Sequence, residues 1–148
     1  MIKVHNKGII HGNVCPGRIW ITDYGNVKLT GFDRERQWDY NGDEISDNPL
    51  RENPYLPIEA YSKKKKIEKG FNIDLYGFAG SLYYALTGQM IPDVIDRLES
   101  DYKKLTEYGF SRRLSDVFDR ALAIYPNERT KSVTAFLEEI CATVKFCS

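Results

Sequence analysis

Residues His11 to Asp33 read HGNVCPGRIWITDYGNVKLTGFD: a polar loop, two short β-prone runs around a turn, and a Gly-Phe-Asp triplet. Ile19-Trp20-Ile21-Thr22 and Val27-Lys28-Leu29-Thr30 carry the branched and aromatic residues of strands. Asp23-Tyr24-Gly25-Asn26 sits between them, and Gly25 and Asn26 tolerate the left-handed backbone of a tight turn. The spacing predicts an antiparallel hairpin that holds His11 to Arg18 at one end of its path and Gly31 to Asp33 at the other.

Outside this stretch the patterning is helical. From Arg34 to Pro57 the chain is polar, with Asn41, Gly42, Asp43, Asp47, Asn48, Pro49 and Pro54, and reads as a long loop. Asn72 is a candidate cap for a helix running to about Leu86, with Gly88 as its stop and with Ile73, Phe78, Leu82 and Tyr83 turned inward. Leu114, Val117, Phe118, Ala121 and Leu122 follow the helical period from a start near Ser111. Val133, Phe136, Leu137, Ile140, Cys141 and Val144 repeat it behind Ser132 as N-cap. Both stripes are core faces, and Cys141 is expected to pack in one as a small hydrophobe.

The order loop, hairpin, triplet resembles the catalytic and metal-binding segment of protein kinases, whose patterns are H-R-D-x-x-x-x-N and D-F-G. The corresponding residues here are His11-Gly12-Asn13, Arg18 and Gly31-Phe32-Asp33. Further matches are Pro54-Tyr55-Leu56-Pro57-Ile58-Glu59, similar to the A-P-E region, and Asn72-Ile73-Asp74-Leu75-Tyr76-Gly77-Phe78 through Leu82 to Gly88, similar to the central helix of bacterial serine/threonine kinases. Ile91-Pro92-Asp93 through Arg97-Leu98 and Asp101, then Ala121 to Arg129 and Phe136-Leu137, continue the likeness. The resemblance implies a mainly α kinase C-terminal lobe over residues 1–148: a helical bundle (72–146) around a central buried helix. A hairpin carries the catalytic-type loop (11–18) and triplet (31–33), followed by an activation-segment-like loop (34–59).

The same resemblance implies that chemistry has been lost. A working kinase uses its loop aspartate to accept the substrate hydroxyl's hydrogen bond, and its loop asparagine and triplet aspartate to hold magnesium. Asn13 stands at the first position, and a neutral amide does not take up a proton near pH 7. Arg18 stands at the second, with donors only and no lone pair for a cation. Gly31 stands at the third and offers no side-chain ligand. No phosphate cradle of the G-x-G-x-x-G or P-loop type occurs elsewhere, and only ten residues precede His11, so a large lobe without its small lobe is expected. No catalytic residue, cofactor or metal ligand is therefore assigned.

Positions that the resemblance makes structural are retained. Glu59 and Arg129 are implied to form a buried ion pair, Asp74 to accept backbone N–H groups of the catalytic-type turn, and His11 to stack on Phe32. The arginine that would receive an activating phosphate is replaced by Gly12, while Ser46 sits among Asp39, Asp43, Glu44 and Asp47, so added negative charge would repel.

Composition bounds the remaining classes. The 21 basic and 21 acidic residues balance, which gives no footprint for nucleic acid or an anionic membrane. The Lys63 to Lys66 run reads as a solvated loop before a helix, with a docking patch for an acidic partner as the alternative. No apolar run nears the about eighteen residues that span a bilayer. Cys15, Cys141 and Cys147 lack metal spacing and leave one unpaired, which fits a reducing cytoplasm. The expectation is a catalytically inactive binding or scaffold module, contacting a protein partner or a second copy through the face near Ile9, Ile10, Val14, Ile19 and Ile21. The alternative is part of a serine/threonine kinase that binds ATP once a small lobe is supplied, with Asp33 and either Asp23 or Asp39 rebuilding a magnesium site.

Overall fold

The structure is a computed structural model and describes residues 1–32, 53–61 and 70–144, excluding the side chain of Val144. In chain order it contains α1 (Ile2–His5), β1 (Ile19–Ile21), β2 (Val27–Leu29), α2 (Asn72–Thr87), α3 (Arg112–Ala121) and α4 (Val133–Val144), with short 3-10 turns between them. The described residues are thus mostly helical with a two-stranded hairpin, as expected. Ser46, Lys63 to Lys66, Cys147, Asp33 and most of the 34–59 loop lie outside the described residues.

β1 and β2 pair antiparallel in the register Ile19↔Leu29, Trp20↔Lys28 and Ile21↔Val27. The turn closes through Gly25 N–H to the Thr22 carbonyl at 2.8 Å and Thr22 N–H to the Asn26 carbonyl at 2.9 Å. Strands this short give little independent stability. Ile19 and Leu29, paired at the base, are half-buried, whereas Ile21 and Val27 near the tip stand in solvent.

α2 is the axis of the molecule. Its residues from Ile73 to Gly77 are buried consecutively, all around the helix, because other segments cover every side of its first turns. Leu75, Tyr76, Ala79 and Tyr83 pack with Val117, Phe118, Ala121 and Leu122 of the α3 region and with Val133 and Phe136 of α4. The Phe136 ring meets Phe118 edge to face at 5.3 Å and Phe78 at 6.3 Å. Each such fully buried side chain contributes about 1.5–3 kcal/mol relative to exposure. Towards its C-terminus α2 emerges, with Tyr84 and Leu86 exposed, and Gly88 ends it in the left-handed conformation at φ 70°.

The predicted starts of α3 and α4 match the structure. Ser111 precedes α3 and its hydroxyl accepts from Leu114 N–H at 3.3 Å. Ser132 does the same for Ala135 N–H at 3.1 Å ahead of α4.

Three expectations are corrected. Asn72 is the first helical residue and not the cap: Phe71 holds that place and no side chain caps the helix. The Asn72 carbonyl accepts from Arg129, so tertiary contacts anchor this end instead. Phe78 and Leu82 are only half-buried. Cys141 is exposed, because α4 faces the core through Val133 and Phe136 and turns outward near its end.

Candidate functional site

The loop from His11 to Arg18 is organised by a carboxylate far away in sequence. Asp74, fully buried in the first turn of α2, accepts His11 N–H at 2.8 Å on Oδ2 and Gly12 N–H at 2.7 Å on Oδ1. The His5 imidazole Nε2 meets the same Oδ2 at 2.8 Å, with its ring tilted on Phe71 at 4.4 Å. A buried carboxylate requires such partners, since an unpaired one is prohibitively desolvated. Asp74 thus holds the loop and docks α1. His5 had no local sequence signal, because its partner is on another helix.

His11 is equally committed. Its Nδ1 accepts from Asn13 N–H at 3.2 Å, and its Nε2 lies 2.8 Å from the Thr30 carbonyl. A carbonyl only accepts and an amide N–H only donates, so these partners select the neutral Nε2–H tautomer. The ring meets Phe32 edge to face at 4.6 Å. His11 therefore ties the loop to the strand that leads into the triplet.

Arg18 and Gly31 converge across the hairpin. Thr30 N–H donates to the Arg18 carbonyl at 2.9 Å, and the Arg18 guanidinium returns Nη1 to the Gly31 carbonyl at 2.9 Å. Gly31 has φ 80°, a conformation that disfavours other residues. A Cβ on it would lie 2.0 Å from Arg18 Nη1. The site thus contains a fixed cation beside a residue without a side chain.

Gly77 sets how closely this loop approaches α2. A Cβ there would sit 2.4 Å from the Val14 carbonyl oxygen and 3.1 Å from that of Tyr55. Only a hydrogen at this position lets the loop and the segment before Glu59 both rest on the helix.

Glu59 and Arg129 meet in the interior with both side chains fully buried. Arg129 Nη1 donates to Glu59 Oε1 at 2.5 Å and Nη2 to Oε2 at 3.2 Å. Nη1 also reaches the Asn72 carbonyl at 3.1 Å, Nη2 the Ile124 carbonyl at 3.0 Å, and Nε the Ala123 carbonyl at 3.0 Å. All five guanidinium N–H groups can be satisfied by these bonds. The pair links the end of the 34–59 segment to the start of α2 and to the connection between α3 and α4. Asp93 supports the same segment, accepting from Asn53 N–H at 3.1 Å and Tyr61 Oη at 2.6 Å.

A second buried arginine lies beyond Tyr76. Arg97 donates from Nη1 to the Tyr76 hydroxyl at 2.8 Å and to the Leu122 carbonyl at 2.9 Å. Burial pushes the Tyr76 phenol up against the opposing pull of Arg97 and Arg129. Arg97 Nη2 and Lys104 Nζ both contact Asp101, at 3.2 and 2.7 Å. Partial burial of Asp101 works against ionisation, but its bonds from Lys104 and from Tyr102 N–H, with the nearby Arg97 charge, bring its carboxyl below the usual range.

The expected contact face requires correction at Val14, which is buried under the Gly77 contact at 2% exposure. Ile9, Ile10 and Ile21 are exposed, and Ile19 is half-buried. On the hairpin, residues that the sequence reading named only as strand or turn are strongly exposed: Trp20 at 63%, Val27 at 68% and Tyr24 at 92%, beside Ile21 at 72%. Ile21 and Val27 form a cross-strand pair, so the hairpin is apolar on that face, while Trp20 lies on the other.

Among the described residues no three His, Cys, Asp or Glu side chains gather as a metal-binding group, and no helix is long and apolar enough to cross a membrane. The arrangement at residues 11–32 is a rigidly hydrogen-bonded loop with a guanidinium at its centre.

A helical lobe with this loop, hairpin and buried ion pair is kinase-like, and comparison with known proteins agrees. The apo form of PpkA-294, a solved structure, superposes with a TM-score of 0.73 at 26% identity, over 93% of this chain and 48% of that one. Serine/threonine-protein kinase GRIK1 of Arabidopsis thaliana is 25% identical over 137 residues, 87% of this chain and 33% of the relative. Serine/threonine-protein kinase PknK of Mycobacterium tuberculosis is 25% identical over 149 residues, 92% of this chain and 13% of the relative. No family model matches the chain. The chain therefore has a kinase-like fold, is similar in sequence to serine/threonine-protein kinases, and spans about half of the solved structure and a third or less of these curated relatives.

Proposed function

We propose that this chain is a catalytically inactive kinase-like module that works by binding protein, either a partner or a second copy of itself, in the cytoplasm. The observation that carries the reading is the Arg18 guanidinium bonded to the Gly31 carbonyl, a cation held where a kinase-like site needs a metal ligand. Asn13 adds a second reason, because an amide at the base position takes up no proton. His11 and Asp74 are engaged in holding the loop.

The exposed hairpin supports the binding role. Trp20, Ile21, Tyr24 and Val27 place apolar and aromatic surface on both faces of a two-stranded ribbon. Aromatic side chains of this kind are enriched at the centres of protein interfaces. Nothing in the charge balance favours nucleic acid or a lipid surface as the partner.

Two measurements test the proposal. Phosphate transfer from ATP with Mg2+ to a generic acceptor protein is expected to stay at background, and robust turnover would sink the inactivity, while a saturable rise in Tm with Mg-ATP would favour the enzyme reading. Light scattering is expected to show concentration-dependent association, weakened by Ile21→Ser. A monomer at every concentration and without a partner, with hairpin amides protected from exchange, would sink the binding role.

A second reading is favoured by coverage. Since the chain matches about half of a solved kinase-like structure, it can be part of a phosphotransferase completed by a small lobe. Under that reading, adding a small lobe in trans or in frame restores transfer; the proposal expects it not to.

A further inference from the structure

We infer that two copies of this chain join through the outer edge of β1, related by a two-fold axis at Ile21, so that their hairpins form one four-stranded antiparallel sheet. The inference rests on the reading that the exposed hairpin binds protein, and goes beyond it by naming the occupant, the edge and the symmetry.

The ladder itself picks out the edge. Thr22 N–H reaches the Asn26 carbonyl and Thr30 N–H the Arg18 carbonyl, each at 2.9 Å, so both pairs lie at bonded positions. In the register Ile19↔Leu29, Trp20↔Lys28 and Ile21↔Val27, antiparallel alternation then makes Trp20↔Lys28 a bonded pair too and turns the N–H and C=O of Ile21 and of Val27 outward. Among the described residues nothing takes the Ile21 N–H or carbonyl. The two outer edges are not equivalent. β2 carries Lys28, a charge of the kind that blunts an edge, whereas Ile19 to Thr22 carry none.

A second copy suits this edge better than an extended peptide. β1 is three residues long, and the Ile19 N–H is already taken by the Pro16 carbonyl, so main-chain bonds alone give a peptide little. A residue that turns both a donor and an acceptor outward is self-complementary: about a two-fold, each Ile21 N–H donates to the carbonyl of its counterpart. That register sets Trp20 opposite Thr22 of the second copy and brings the two indoles to diagonal positions within aromatic reach on one face, while Ile21 and Val27 of both copies gather on the other. At the exposures of Trp20, Ile21, Tyr24 and Val27, these side chains offer about 600 Å2 per copy, about 1,200 Å2 across the axis, which is the lower edge of a specific, stable interface. Two strands alone are marginal in water, and a four-stranded sheet with apolar faces is not.

The test is analytical ultracentrifugation of the full chain, unmodified and as Ile21→Lys, Ile21→Glu and Ile21→Pro, with circular dichroism confirming the fold of each. The unmodified chain is expected to dimerise reversibly. Ile21→Lys and Ile21→Glu are each expected to be monomeric, because like charges meet at the axis, and mixing them in equal amounts should restore a dimer with a Kd within about tenfold of the unmodified chain. Ile21→Pro deletes an N–H that the hairpin does not use, so it should keep the fold and weaken the dimer by at least about tenfold. Charged variants that dimerise alone, or a mixture that stays monomeric, would overturn the inference. An unmodified chain that stays monomeric yet binds a different protein through the hairpin would overturn the second copy while leaving the binding role intact.

Discussion

Replacing Arg129 by Met should be the most damaging single change in this lobe. The side chain is fully buried, and its removal strands the Glu59 carboxylate together with the Asn72, Ala123 and Ile124 carbonyls. Breaking a buried pair from one side costs about 3–5 kcal/mol. For a domain of this size, where about 1 kcal/mol moves Tm by about 2–4 °C, the fall in Tm is about 6–20 °C. Glu59→Gln should cost less, because Arg129 keeps its three carbonyl partners and an amide oxygen remains in place. A double variant, Glu59→Met with Arg129→Met, should fall between Arg129→Met and the unmodified chain: the stranded carboxylate is gone, but the three carbonyls stay unpaired. Urea unfolding followed by circular dichroism measures all three. A cost below about 1 kcal/mol for Arg129→Met, or Glu59→Gln costing as much, would refute this account of the interior.

Other expectations concern the loop, the hairpin and pH. Gly77→Ala drives a methyl against the Val14 carbonyl 2.4 Å away, and should cost about 1–3 kcal/mol in denaturant unfolding while raising exchange of the His11 and Gly12 amides. Trp20→Ser and Ile21→Ser, at strongly exposed positions, should leave stability within about 0.5 kcal/mol while reducing association in light scattering. Burial pushes the phenols of Tyr102 and Tyr83 above their ordinary range, Tyr102 further by its bond to Asp119 and Tyr83 by its contact with Tyr108. Because these folded values are raised, the fold favours the neutral phenol. The contribution is fully present below the unfolded tyrosine value, about pH 10, and is lost as pH rises through the folded values. Absorbance at alkaline pH should show these tyrosines ionising together with unfolding; free titration of all ten tyrosines in the folded chain would contradict it.

The elements that were legible early are those written in local periodicity. The apolar stripes of α3 and α4, their Ser111 and Ser132 caps and the Asp23 to Asn26 turn each depend on residues within a few positions of one another. Where the reading missed, the deciding contact was distant. Asn72 looks like a cap, yet Arg129 takes its carbonyl and Phe71 takes the cap position. Val14 looks like contact surface, yet the absence of a side chain at Gly77 lets α2 cover it. Cys141 has helical spacing, but spacing does not say where a helix leaves the core.

The chain's own residue order determined the helical class, the hairpin, and that Asn13, Arg18 and Gly31 offer no carboxylate, because residue type fixes which atoms can donate, accept or hold a proton. Only the tertiary structure decided that His5, His11 and Gly12 converge on Asp74, that Arg18 fills the place of a side chain at 31, and that Trp20, Tyr24 and Val27 stay in solvent. Convergence and exposure depend on how segments tens of residues apart pack, and local sequence carries no record of what a side chain will meet across that distance.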